Sequence, residues 1–315
     1  ELRSSCSTQA LEIPLSSMRP YLELCRIYLV PTALADSFAG FALAAAVFNK
    51  SEDPLPALVV AVISACLYSS GMVGNDLFDL EKDRQGAPEK PLPSGALPVA
   101  RAACLASALA LLALGLSFLL GETYWPAGVV LLCSLLYNIG VKNIPVLGNI
   151  LMGTCRSGNF LVGATAAAGS FLQVLSSEAL LVPALILGGF IAVVTAISRL
   201  EDSDHRPLLF ASLVYPLLAI PVILAALNPG SPVNWIANLA LLGFLFRAIL
   251  EAGKNRELLH PATAYIRNAL GALIFLDAAL LLAFTPPGLS SLLPAAALYL
   301  LALFSWWSKR NWLQS

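Results

Sequence analysis

The chain is poor in charged residues, histidine and closely spaced cysteines, and each shortage excludes a class of protein. Charged residues make up 12% of the chain and hydrophobic residues 58%, which excludes an ordinary soluble domain with about 25% and about 45–50%. The net charge of −1 produces no overall field that would attract nucleic acid or an acidic partner, so no nucleic-acid partner is expected. The six cysteines show no CxxC spacing, and His205 and His260 fall in predicted loops, so we predict no cysteine or histidine metal site.

We expect no cleavable signal segment within residues 1–19. Residues 1–19 are polar and rich in serine, without the order of a basic region followed by an apolar region. We therefore predict a polar tail over residues 1–19 and one membrane domain over residues 20–315. Because the first residue is Glu1 rather than methionine, we expect the natural start to lie upstream.

What is abundant is apolar sequence, with a mean hydropathy of +0.79. A membrane-spanning helix needs about 20 apolar residues, and a helix satisfies all its backbone groups inside the bilayer. The pattern predicts an all-α, polytopic membrane bundle of nine or ten transmembrane helices. The ten candidate runs are 21–48, 55–80, 98–120, 124–140, 147–169, 178–200, 207–227, 233–252, 261–284 and 290–308.

The basic residues favour ten crossings. Lys and Arg cluster before the first run and after every second run, whereas the loops on the other side hold only Lys50. With nine crossings, Lys309 and Arg310 would lie on the opposite side from the other basic loops. We therefore predict both termini on the cytoplasmic face, in a bacterial inner membrane or an organelle membrane of the same charge bias.

An acidic stretch, Gly74–Gly95, follows the second run abruptly. If the helix continues, Asn75, Asp79 and Asp83 recur every four residues on one face, with Asp76 beside them. Carboxylates crowded at a membrane surface are stabilised by a cation, and Mg²⁺ prefers such oxygen ligands together with substrate phosphates. The stretch predicts a Mg²⁺–diphosphate site; a solvated helix end with ordinary charge pairs is the alternative.

This stretch also has a family pattern. The motif NDxxDxxxD at Asn75–Asp83 is followed by KPLPSG at Lys90–Gly95. The two linked motifs resemble the first signature of the UbiA superfamily of intramembrane prenyltransferases, and the helix pattern extends the resemblance from about Pro20 to the C-terminus. The resemblance implies nine helices, Mg²⁺, a polyprenyl diphosphate donor and a small-molecule acceptor.

A second acidic cluster, RLEDSDHR at Arg199–Arg206, follows the sixth run on the same predicted face as the first. The resemblance implies that the two clusters face each other across one diphosphate. The leading aspartate of the family's DxxxD pattern is absent here, which resembles a divergent, EboC-like branch. Glu201, Asp202 and Asp204 are the remaining candidate ligands, with Arg199 nearby for the diphosphate.

Other polar residues interrupt later runs. The resemblance implies that Tyr137 and Lys142 meet the diphosphate; an interfacial tyrosine and a positive-inside anchor are the alternative. Arg156 and Asn159 lie one turn apart inside the fifth run. Because an intramembrane arginine is costly, we predict that both line a cavity and contact the substrate, with Arg156 recognising diphosphate or an anionic acceptor. Snorkelling or a structural hydrogen bond is the alternative.

The first and ninth runs contain Asp36 and Asp277. Each is interpreted as positioning an acceptor or acting as a base, or equally as a polar contact between helices. Glu23 and Arg26 are predicted to form a simple ion pair, with a role at the cavity mouth as the alternative.

The loop Gln85–Gly95 is stiff and non-helical because it holds three prolines and two glycines. We predict a lid that excludes water, with Lys90 and Arg84 leaning over the acidic cluster. A plain connecting loop is the alternative.

These features together predict a Mg²⁺-dependent prenyltransferase in a lipid bilayer. A carrier of isoprenoid metabolites and a membrane terpene cyclase are the alternatives. The predicted catalytic residues are Asp76, Asp79, Lys142 and Asp204. The predicted metal ligands are Asn75, Asp76, Asp79, Asp83, Asp202 and Asp204. The predicted substrate contacts are Asn75, Arg84, Lys90, Tyr137, Arg156, Asn159 and Arg199.

Overall fold

The computed structural model describes residues 15–50, 54–200, 207–254, 261–285 and 289–312, and within these residues the regular structure is entirely helical. Short 3₁₀ helices, Ile27–Leu29, Gly121–Thr123 and Val141–Asn143, join some of the α-helices. The α-helices are α1 (Leu15–Leu24), α2 (Val30–Val47), α3 (Pro54–Phe78), α4 (Leu80–Gly86), α5 (Val99–Leu119), α6 (Tyr124–Ile139), α7 (Pro145–Ala168), α8 (Phe171–Leu175), α9 (Glu178–Ser198), α10 (Pro207–Leu217), α11 (Ala219–Leu227), α12 (Pro232–Lys254), α13 (Pro261–Phe284) and α14 (Leu289–Trp312).

The all-helical membrane class is confirmed, and the number of crossings stays a prediction. Each of the ten predicted runs coincides with a helix or a pair of helices. Within the described ranges, six segments are long and apolar enough to cross a membrane. These are Ile27–Val47, Pro54–Phe78, Val99–Leu119, Glu178–Ser198, Leu209–Leu227 and Pro232–Ala252. The outer helix α5 exposes Leu111, Phe118 and Leu119, which is expected of a helix that faces lipid.

Two predicted runs are not single helices. The first is interrupted at Cys25 and Arg26, because Arg26 adopts the left-handed conformation with φ 47° and ψ 50°. The seventh is interrupted at Leu218, two residues after Pro216, whose ring removes a helical hydrogen bond. Arg26 therefore stands at a corner between α1 and the 3₁₀ helix Ile27–Leu29 rather than inside a helix.

Helix α7 lies at the centre of the bundle, packed against α2, α6 and α9. Its contact with α2 is backbone to backbone, because a Cβ atom at Gly163 would overlap the carbonyl oxygen of Ser37. Small residues permit such close approach of membrane helices. The same helix touches α9 through Gly153, where a Cβ would lie 2.5 Å from the Gly188 oxygen. The central placement of α7 brings its polar residues into the interior.

The segment after α3 folds back over the end of the bundle. Helical hydrogen bonding continues through the break between α3 and α4, since the amide of Asp79 donates to the Asn75 carbonyl at 2.9 Å. The following loop, residues 87–98, buries Leu92 and Leu97 in a small apolar cluster at the end of α3. The loop is therefore docked onto the bundle, as a covering segment must be.

Candidate active site

A cavity of about 300 Å³ lies among α2, α3, α6, α7, α9 and α13. This volume is at the lower end of the range for small-molecule sites, about 300–1,000 Å³. Much of its wall is apolar, including Leu67, Val130, Met152, Val194 and Leu270. Its polar lining includes Arg26, Asn75, Tyr137, Asn138 and Ser198. Because the last four lie at the C-terminal ends of α3, α6 and α9, we call this end of the cavity the mouth.

Lys142 connects the mouth to the first acidic motif. Its Nζ atom lies 2.5 Å from Asp79 Oδ1 and 3.2 Å from Asn75 Oδ1. The predicted placement of Asn75 and Asp79 on one face is confirmed, since both oxygens reach the same cation. The Asp79 side chain is 22% exposed and that of Lys142 17% exposed, so the pair is largely screened from solvent.

The other two carboxylates of the motif have different partners. Asp76 Oδ1 accepts a hydrogen bond from Arg26 Nη2 at 3.2 Å, and the Asp83 oxygens accept from Lys90 Nζ at 2.8 and 2.9 Å. Each aspartate is thus neutralised by a cation from a different segment. In the described part of the chain, no three acidic, cysteine or histidine side chains are grouped so that they could share an ion.

The Lys142 contacts test whether the residues fit Mg²⁺. Magnesium is normally held by one or two carboxylates, and waters and substrate phosphates complete its shell. Asp79 and Asn75 present two oxygens that already converge on one cationic atom, so the donor set fits this ion. Asp202 and Asp204 lie outside the described residues, and their role as ligands stays a prediction.

Sequence reasoning assigned Arg26 the wrong ion-pair partner. Glu23 instead accepts from Arg19 Nε at 2.8 Å, while Arg26 reaches across to Asp76. Burial by itself lowers the pKa of Arg26, but the neighbouring Asp76 carboxylate and nearby tyrosines raise it, and the net shift is upward. The guanidinium therefore stays charged. A basic residue just before the first span, on the predicted face of the acidic motif, was the available signal.

Arg156 and Asn159 both line the cavity, away from the acidic motif. Arg156 donates from Nη1 to Asp36 Oδ2 at 2.7 Å and from Nη2 to Thr32 Oγ1 at 3.0 Å. Its guanidinium also lies over the Tyr68 ring, 5.6 Å from the centroid. Asn159 donates to a backbone carbonyl of α2 at 2.7 Å. The arginine is thus held by α2, and its recognition of a substrate anion stays a prediction.

Behind Arg156, two carboxyl groups lie together. Asp36 and Asp277 are both 0% exposed, and Asp277 lies beside Asp36. Neither Asp277 oxygen has a hydrogen-bond donor among the described residues. Two ionised carboxylates beside one guanidinium would leave a buried negative charge, which is costly. Charge balance therefore requires one proton in this cluster.

Of the remaining predicted substrate contacts, only some reach the cavity. Tyr137 lines the cavity, whereas Arg84 pairs with the exposed Glu81 at 2.5 Å. Arg199 donates to Asn149 at 2.9 Å and to the Lys142 carbonyl oxygen at 2.6 Å. Arg199 therefore braces the backbone that carries Lys142.

Sequence reasoning did not single out Asn138. This residue lines the cavity and ties α6 to α3 by donating to the Gly71 carbonyl at 3.1 Å. Its position directly after Tyr137 was the available signal.

Comparison with known families identifies one match. A family model described as the UbiA prenyltransferase family matches residues 33–265, which include the first acidic motif, Lys142, Arg156 and Arg199. A digeranylgeranylglyceryl phosphate synthase from Methanobrevibacter smithii is 26% identical over 282 residues, covering 80% of this chain and 94% of the relative. One from Sulfolobus acidocaldarius is 33% identical over 165 residues, and the match spans 52% of this chain and about half of that relative, 55%.

Solved structures agree in fold. A UbiA homolog from Aeropyrum pernix K1, in its apo form, has a TM-score of 0.63 and 18% identity over 80% of this chain and 97% of its own. A UbiA homolog from Archaeoglobus fulgidus, bound to GPP and Mg²⁺, has a TM-score of 0.56 and 16% identity over 83% of this chain and 99% of its own. At these identities the likeness establishes the shared helical architecture.

Proposed function

Because the chain belongs to the UbiA prenyltransferase family, we propose that it is a Mg²⁺-dependent intramembrane prenyltransferase acting on a polyprenyl diphosphate and a small-molecule acceptor. One observation carries the proposal: Asp79 and Asn75 converge on a cation at the mouth of a largely apolar cavity. An allylic diphosphate needs this combination, with charge handled at one end and an apolar wall for its tail.

The donor and the metal are proposed from the relatives. Homologous structures are described as bound to GPP or DMAPP with Mg²⁺, and the oxygen donors here fit that ion. Curated relatives are named digeranylgeranylglyceryl phosphate synthase, so a prenylated glyceryl phosphate with a free hydroxyl is the first acceptor to assay. The basic loops support an active site on the cytoplasmic face.

In the proposed mechanism, acidic and amide side chains bind the metal and basic side chains neutralise the diphosphate. Asp79 and Asn75, with Asp76 and Asp83, would hold the metal ion and its diphosphate at the mouth. Asp202 and Asp204 are proposed as further ligands. The chemistry supplied by Mg²⁺ is Lewis-acid stabilisation of the departing diphosphate. Lys142 is proposed to add positive charge next to the phosphate oxygens. Arg84, Lys90, Arg156 and Arg199 stay predicted substrate contacts, and Arg156 lies deeper in the cavity, on Asp36.

The rest of the site protects the reaction. The carbon–oxygen bond of the donor breaks, diphosphate leaves with the bonding electrons, and the acceptor forms the new bond and loses its proton. The apolar wall shelters the isoprenoid group, and the docked loop at residues 87–98 keeps water from the allylic cation. Tyr137 lines the cavity at its mouth, where it can orient the reacting end.

One assay tests the function. Purified full-length protein in lipid nanodiscs receives Mg²⁺, a labelled polyprenyl diphosphate and the acceptor, and diphosphate release is measured with product mass. We expect release by the wild type and its loss in Asp79→Asn, which keeps the side-chain shape but removes the charge. The matched control is Glu81→Gln in the same acidic stretch, since Glu81 is exposed and pairs only with Arg84 among the described residues.

The alternatives predict other results. Binding of the diphosphate without release would support a carrier, and release with a cyclised hydrocarbon product would support a terpene cyclase. Undiminished release by Asp79→Asn would refute the proposed site itself.

A further inference from the structure

We infer that Arg26 belongs to the diphosphate site and exchanges partners, pairing with Asp76 in the ligand-free protein and with a phosphate group when a metal ion takes Asp76. The inference rests on the proposed function and adds a residue to that site. It also implies that the metal and the diphosphate bind cooperatively, because each releases a group that the other needs.

The position and geometry of the Arg26–Asp76 ion pair allow it to open. Arg26 lines the cavity together with Asn75 and Tyr137, and its side chain is 32% exposed, whereas that of Asp76 is 9% exposed. The contact runs through one nitrogen, Nη2, at 3.2 Å. It is longer than the Lys142–Asp79 contact at 2.5 Å and the Lys90–Asp83 contact at 2.8 Å. The Arg26–Asp76 contact is therefore the longest of the three that neutralise the motif.

The backbone provides an independent observation. Arg26 has φ 47° and ψ 50°, and among the described residues the only other non-glycine residue with positive φ is Asn49. Asparagine adopts this conformation readily, whereas arginine does so at a steric cost. Such strain persists where the surrounding structure imposes it, and it clusters at functional sites. Here the strained residue lies between α1 and the following 3₁₀ helix, and its guanidinium contacts Asp76.

Charge explains why an exchange follows. A divalent ion that approaches Asp76 meets the positive guanidinium, so Arg26 opposes metal binding until it has another anionic partner. A diphosphate supplies that partner, since the planar guanidinium fork matches phosphate oxygens. A metal ion on Asp76 in turn frees Arg26 for the diphosphate. Reciprocal linkage then requires each ligand to raise the affinity of the other.

The exchange predicts effects of opposite sign in one variant. In Arg26→Gln the ion pair is lost and Asp76 is available, so Mg²⁺ alone binds about 5-fold more tightly. Inorganic pyrophosphate added at saturating Mg²⁺ binds about 5-fold more weakly, or worse, because its arginine partner is gone. Both constants are measured by isothermal titration of the full-length protein in nanodiscs, without turnover. Arg26→Lys restores weak Mg²⁺ binding and only part of the pyrophosphate affinity.

Two further variants serve as controls. Arg26→Asn removes the charge but suits the left-handed backbone, so it reproduces the Arg26→Gln result in a protein whose corner is unstrained. Arg19→Gln removes a guanidinium from the preceding helix α1, where the exposed Arg19 pairs with Glu23, and leaves both affinities unchanged. Thermal unfolding of every variant confirms that it is folded.

The possible outcomes decide the question. Weaker binding of both ligands would mean a structural role and would overturn the inference. Tighter Mg²⁺ binding with unchanged pyrophosphate affinity would make Arg26 a simple counter-ion and would also overturn it, as would no change in either constant. A wild type that binds no pyrophosphate at any Mg²⁺ concentration would refute both this inference and the proposed function. Opposite shifts in a protein that transfers no prenyl group would refute the function alone.

Discussion

Replacing Asp277 by asparagine should leave the protein as stable as the wild type, whereas replacing Asp36 should destabilise it strongly. The two carboxyl groups lie together in the interior, but only Asp36 bonds to Arg156, at 2.7 Å. If Asp277 holds the proton that charge balance requires, it is a neutral hydrogen-bond donor to Asp36. Asparagine has the same shape and can donate the same bond, so Asp277→Asn preserves the cluster.

The expected difference is large. Removing one partner of a buried ion pair costs about 3–5 kcal/mol, because the other charge is left unpaired. Asp36 is 0% exposed and the Arg156 side chain 12%, so solvent compensates little in Asp36→Asn. That loss corresponds to a fall in melting temperature of about 5–10 °C, whereas Asp277→Asn should change it by less than about 2 °C. Arg156→Met should be at least as damaging as Asp36→Asn, since two carboxyl groups would then lack their cation.

The assay is thermal unfolding of the three variants in one detergent, followed by tryptophan fluorescence and by retention of a monodisperse gel-filtration peak. Equal destabilisation by Asp277→Asn and Asp36→Asn would refute the shared proton. It would mean that Asp277 is ionised in the folded protein and depends on a cation of its own. A stable Asp36→Asn would refute the ion pair as the basis of the cluster.

Three further predictions follow from packing and charge. Gly163→Ala should destabilise the bundle by about 1–3 kcal/mol, because the added Cβ forces α2 and α7 apart. The control Gly115→Ala on α5, where a Cβ meets nothing within 4 Å, should be neutral or stabilising. Equal melting temperatures of the two variants would contradict this prediction. Lys142→Gln should slow diphosphate release at least about tenfold, because it removes the cation at the mouth. The control Lys50→Gln, between α2 and α3 and away from the mouth, should leave the rate unchanged. Equal rates of the two variants would count against a role for Lys142. Leu97→Ala should loosen the docked loop and raise the ratio of hydrolysed donor to transferred product. This ratio is measured by chromatography of the labelled products. A lower rate at an unchanged ratio would argue against a water-excluding loop.

The helical framework was readable from the sequence because it depends on local composition. Apolar runs of about 20 residues separated by short polar breaks favour helices whatever their neighbours are. The same reasoning found the acidic stretch after α3 and the i, i+4 spacing that brings Asn75 and Asp79 together. The sequence analysis did not predict the corner at Arg26, because a hydropathy pattern carries no information on the backbone conformation of a single residue.

The sequence by itself determined the helical membrane class and the oxygen-rich motif, because each is expressed over a few neighbouring positions. Only the tertiary structure decided the pairing of charges. Arg26 meets Asp76 from 50 positions away, Lys142 meets Asp79 from 63, and Arg156 meets Asp36 from 120. An intramembrane charge must find an opposite charge or a polar group. The order of residues along the chain does not say which helices will be adjacent, so the partner is chosen by packing.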